Sequence, residues 1–102
     1  MKPKHITITG LSYDEDDRFL YRPGRVFKCV KEKENPFDEE AICVQLEGIK
    51  IRGYVANSVN TVAKGTMSAG RIYDKTDNEF DIIVRFVTRA SVICEVIEET
   101  EK

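Results

Sequence analysis

A chain of 102 residues with 41% hydrophobic and 33% charged content is sized and composed for one folded domain, and excludes a disordered or fibrous polymer. Its 16 Lys and Arg against 18 Asp and Glu give a formal net charge of −2, so no global positive field draws in nucleic acid. No apolar run approaches membrane-spanning length and the first residues lack the apolar core of a signal peptide, so a cytoplasmic protein off the membrane is expected.

Lys4 to Thr9 alternates, with Ile6 and Ile8 on one face, and reads as a strand closed by Gly10. The acidic run Asp14-Glu15-Asp16-Asp17 repels itself and reads as a solvated loop. Arg18 to Tyr21 is a short mixed segment, and Arg22-Pro23-Gly24 a turn. Val26 to Lys31 is a second strand, neither of whose faces is cleanly polar. Ile42, Val44 and Leu46 mark the inner face of a third. A turn at Gly48 pairs it with Ile49 to Arg52, isoleucines in and basic residues out.

Beyond Val55 the period changes. Asn57 or Ser58 is a good N-cap, Val59, Val62 and Ala63 share a helical face, and Gly65 is a stop, so a two-turn helix is expected there. Ser68 to Lys75 reads as a short strand or structured loop, and Thr76 to Asn78 as a turn. Glu79 to Thr88 is the longest apolar strand, with Phe80, Ile82, Val84 and Phe86 on one face. Arg89-Ala90 turns the chain into a last strand, Ser91 to Ile97, and the charged tail 98–102 should fray. The whole is an all-β domain over 1–102 with its core in about 5–97. Six to seven short strands and one or two short helices close as a small OB-like or SH3-like barrel.

The three cysteines, Cys29, Cys43 and Cys94, are far apart and read as reduced, buried thiols. With no C-x-x-C and His5 as the only histidine, neither a metal nor another cofactor is expected. A Ser-His-Asp or Cys-His set and a phosphate-binding glycine loop are also missing, so the chain reads as a binder rather than an enzyme.

The most informative stretch is Lys31 to Ile42. Pro36 fixes its own φ and holds Asn35 extended, which makes the turn stiff. Asp38 is placed to accept from backbone N–H groups two or three residues on. Phe37 lies between them. The order Asn35-Pro36-Phe37-Asp38, two residues, then Ala41-Ile42 and an alternating strand resembles the signature of the HIRAN family. Gly10-Leu11-Ser12-Tyr13, Lys31-Glu32 and Gly53-Tyr54-Val55 extend the resemblance over most of the chain, and Gly53 to Ser58 with Ser68 to Arg71 is similar to its stand-alone bacterial branch.

The resemblance implies a small barrel related to the OB-fold that grips a 3′ end of single-stranded DNA. It makes Phe37 the stacking platform, Asp38 the acceptor for the terminal hydroxyl and Asn35 a polar reader. Tyr13 becomes a second aromatic, with Tyr54 and Asn57 facing the nucleic acid. The chain departs from the pattern in Ser12, Lys33, Phe37 and Asn57, two of which remove a cation from the groove. Binding should therefore be weak and lose little with salt. The competing expectation is a protein-interaction module that has lost DNA binding and takes a partner at a strand edge or in the same groove. A positive groove beside Phe37 would favour nucleic acid, and a neutral one a protein partner.

Overall fold

The computed structural model describes residues 3–11, 15–58, 60–88 and 91–97. Alternation of β-branched residues produces six strands: β1 (His5–Thr9), β2 (Val26–Lys31), β3 (Ile42–Leu46), β4 (Ile49–Val55), β5 (Glu79–Val87) and β6 (Val92–Ile97). Two short helices, α1 (Glu15–Leu20) and α2 (Ala69–Tyr73), interrupt them. The strands pair antiparallel in the order β1-β4-β3-β2-β5-β6, and the ends of that order join into a closed barrel. This is the small all-β barrel expected. Its interior is filled by Ile6, Ile8, Phe27, Cys29, Ile42, Val44, Ile82, Val84 and Cys94, with Tyr21 and Ile72 packed among them.

The β3–β4 hairpin turns on Glu47 and Gly48, both with positive φ (53° and 83°), the two-residue geometry whose twist suits a hairpin. Its tip projects from the barrel, and Ile49 is 68% exposed rather than inward as its alternation suggested. Further along, two extra residues, Arg52 and Gly53, open between the Val44–Ile51 and Cys43–Tyr54 pairs. This bulge bends β4 away from β3 towards β1, where Val55 faces Ile8. Gly53 has φ +130°, and a Cβ there would fall on the Tyr21 hydroxyl. That hydroxyl donates to the Arg52 carbonyl at 2.5 Å, and its ring packs 4.8 Å from Phe27.

A second bulge explains Phe86. The β5–β6 register slips between Val84 and Phe86, so Phe86 pairs with the outward-facing Ile93. Its side chain is 61% exposed, not part of the inner face with Phe80, Ile82 and Val84. One inserted residue reverses which face every later side chain takes.

Three other expectations need correction. Within the acidic run, Glu15 to Asp17 are helical rather than a loop and open α1, Arg18 sits in its last turn, and Asp14 lies outside the described residues. Asp17 is 7% exposed and lies 3.7 Å from Arg52. The helix expected after Ser58 is one turn only. The Val62 amide donates to the Ser58 carbonyl, but the next amide in that ladder, Ala63, donates to the Thr7 hydroxyl at 3.1 Å. The second helix forms instead at Ala69–Tyr73, where Ser68 caps it by accepting from the Arg71 amide. The turn at Arg89-Ala90, the tail 98–102, Tyr13, Ser12 and Val59 lie outside the described residues.

All three cysteines are buried free thiols. Burial pushes Cys94 up to about 12 and Cys43, which also meets Glu32, up to about 11. Among the described residues no helix is long and apolar enough to cross a membrane.

Candidate nucleic-acid interface

The β2–β3 connection carries the candidate site, and its shape is set by side-chain acceptors. Asn35 Oδ1 accepts from the Phe37 amide (2.8 Å) and the Asp38 amide (3.0 Å), closing an Asx turn over Pro36. Asp38 Oδ1 accepts from the Glu40 amide at 2.9 Å, and the Ala41 amide donates to the Asp38 carbonyl. Every polar group of the turn that these bonds use is local, so the turn is stiff without burying its aromatic. Phe37 is 94% exposed. It is not a rim residue of the core.

Beneath the turn a polar cluster ties β2 to β4. Glu32 Oε1 accepts from Asn35 Nδ2 (3.0 Å) and from the Tyr54 hydroxyl (2.9 Å), and Glu32 Oε2 lies 2.9 Å from Lys50 Nζ. Lys50 Nζ also donates to the Tyr54 oxygen at 2.6 Å and stands 4.9 Å over its ring. Burial raises the Glu32 pKa, but hydrogen bonds from Lys50, Asn35, Tyr54 and Cys43 together outweigh it and hold the carboxylate at about 2. The Glu32 carboxylate, then Tyr54, hold Lys50 above the ordinary lysine range.

Asn35, Phe37 and Tyr54 therefore share one open groove of about 640 Å³, with Glu32, Lys33, Glu34, Pro36 and Lys50 as the other walls. Asp38 adjoins it on the turn. The groove's four charged side chains are two acidic and two basic, so it is formally neutral. Tyr54 is committed by its hydroxyl and one ring face to Lys50 and Glu32, which leaves Phe37 as the exposed aromatic of the groove.

Asn57 is not in this groove. Its Oδ1 accepts from the Gly70 amide at 2.8 Å and its Nδ2 donates to Glu40 Oε1 at 3.3 Å, so it joins the Asp38 side of the turn to α2. It lines a neighbouring cleft with Lys64, Thr66, Ser68 and Arg71. Of the basic residues with groove-forming potential, Lys50 is tied to Glu32 and Arg52 faces Asp17. Lys31 Nζ donates to the Tyr73 and Thr76 carbonyls at 2.6 Å, closing the end of α2. Sequence reasoning missed the Glu32–Lys50 pairing, because residues 18 apart give no signal until β2, β3 and β4 are placed side by side. Comparison with known proteins finds no family model that matches the chain, and no curated protein or solved structure matches it either.

Proposed function

We propose that this barrel is a non-enzymatic module of the HIRAN type that binds single-stranded DNA at its 3′ end in the cytoplasm. The observation that carries the reading is Phe37: a large aromatic left 94% exposed on a turn held rigid by Asn35. Exposing such a ring forfeits its burial, while stacking one base on it recovers about 1–3 kcal/mol whatever the base. Asp38 stands beside it. One carboxylate oxygen holds the Glu40 amide, and the other has no partner among the described residues. That oxygen can accept from a free terminal hydroxyl, and its charge repels a terminal phosphate. A neutral groove adds little counterion release, so affinity at this end is modest.

The test is anisotropy of a short labelled strand ending in a 3′-hydroxyl or a 3′-phosphate. The hydroxyl end should bind more tightly, and Asp38→Ala should abolish that preference. Phe37→Ala should weaken both by about 5- to 150-fold, the equivalent of one lost stack. Its thermal midpoint should barely move, since substitution of so exposed a side chain costs within about 0.5 kcal/mol. If both variants bind like the parent, the strand binds elsewhere.

The neutrality of the groove favours a second reading, a protein partner held at Phe37. Each strand of the closed barrel has two neighbours, which leaves little free edge for strand addition and supports docking in the groove instead. Failure of the parent to bind any strand at low salt would put this reading first.

A further inference from the structure

We infer that the cleft between Lys64 and Arg71 takes the phosphate backbone of the nucleotides preceding the 3′ end. This rests on the end-binding reading of Phe37 and Asp38. The cleft has a volume of about 350 Å³, and no carboxylate lines it. Lys64 and Arg71 are both exposed, and neither has a hydrogen-bond or ion-pair partner among the described residues. That distinguishes them from Lys28, Lys31, Lys50, Arg52 and Arg85, whose charges are answered by carboxylates or carbonyls. A cation without an internal partner loses none of its pairing when it meets a phosphate, whereas Lys50 would first have to leave Glu32.

The cleft walls are also fixed in place. Thr7 Oγ1 accepts from the Ala63 amide, and the Thr66 hydroxyl donates to the Ala63 carbonyl, which pins the loop carrying Lys64. Asn57 and Ser68 accept from the Gly70 and Arg71 amides, which pins the residue at the other wall. Continuity with Asp38 runs through Glu40. Its amide is held by Asp38, and its carboxylate receives the Asn57 side chain that lines the cleft. A strand whose last base stacks on Phe37 and whose hydroxyl meets Asp38 thus has two uncommitted cations along its 5′-ward path. Glu40 marks the boundary between the end pocket and the backbone cleft.

Anisotropy with a dinucleotide and a hexanucleotide, both ending in a 3′-hydroxyl, tests this. The hexanucleotide should bind the parent about tenfold more tightly, with a log–log salt slope near −1.4 for two single-strand phosphate contacts. In Lys64→Gln/Arg71→Gln the two oligonucleotides should bind alike and the slope should fall towards zero, while the preference for a 3′-hydroxyl over a 3′-phosphate persists. Retention of the length gain and the slope in that variant overturns the cleft and leaves the end reading intact. Loss of the length gain there, together with unchanged binding in Phe37→Ala and Asp38→Ala, keeps the cleft and overturns the end reading. No binding of either oligonucleotide by the parent overturns both.

Discussion

Glu32 concentrates the electrostatics of the molecule in one side chain. It receives Asn35, Tyr54 and Lys50, and so couples the turn under Phe37 to β4. Those bonds lower its pKa from an ordinary 4.5 to about 2 against the opposing effect of burial. A folded-state pKa below the unfolded one means that the unfolded chain binds the proton first as pH falls. The stability Glu32 contributes is therefore complete above about pH 4.5 and drains away between pH 4.5 and 2. Urea midpoints measured across that range should fall more steeply for the parent than for Glu32→Gln, which carries no titrating group there. A parallel decline in the two proteins would show that the acid sensitivity arises at other carboxylates. The same residue was hard to value from the sequence. Lys31-Glu32 is a weak pattern alone, and its significance depends on Lys50 and Tyr54 arriving from a strand that the linear order separates from it by a whole hairpin.

At the scale of elements, the bends matter more than the straight runs. Gly53 sits in the β4 bulge at φ +130°, where an added Cβ meets the Tyr21 hydroxyl and the Ile8 side chain. Gly53→Ala combines backbone strain with overpacking, about 2–5 kcal/mol, and should lower the thermal midpoint by about 10 °C or more. A midpoint within a few degrees of the parent would mean that the bulge relaxes freely. The strands themselves were legible because Ile6-x-Ile8, Ile42-x-Val44 and Phe80-x-Ile82-x-Val84 alternate strictly with β-branched or aromatic residues. Alternation does not report bulges, and so the exposure of Phe86 was illegible. Helices of five or six residues carry too few turns for a period to show, which hid α1 and α2. The turn at Asn35–Asp38 was readable because its bonds are local. What the sequence did not determine was whether Phe37 tucks under the rim or stands free, since that depends on how the turn sits against β4, which the linear order does not give.

For the whole molecule, closure of the barrel depends on its shortest seam. β1 and β4 share two register pairs, Ile8–Val55 and Thr9–Tyr54, whereas every other neighbouring pair of strands shares at least four. Below those pairs β4 ends and the following segment takes its place as a plug on the seam. The Ala56 amide donates to the Thr7 carbonyl, and the Met67 amide to the His5 carbonyl, each at 2.8 Å. Thr7, on the outward face of β1, is 1% exposed because this segment covers it. The Thr66 proton is committed to the Ala63 carbonyl, so Thr7 donates to the Thr66 oxygen at 2.8 Å while accepting from the Ala63 amide. Thr7→Val keeps the shape but leaves the Ala63 amide without its acceptor, at a cost of about 1–3 kcal/mol. The loss falls on the plug rather than on the strands. Hydrogen exchange of the Ala56, Ala63 and Met67 amides should therefore accelerate in Thr7→Val by about 5- to 150-fold relative to the amides that pair β2 with β5. Because Lys64 rides on the same segment, the variant should also lose part of the length-dependent gain in strand affinity expected of the proposed cleft, while keeping the 3′-hydroxyl preference proposed for Asp38. Equal acceleration across all strands would mean that the seam opens only with the whole barrel, and that the plug and the sheet unfold as one cooperative unit.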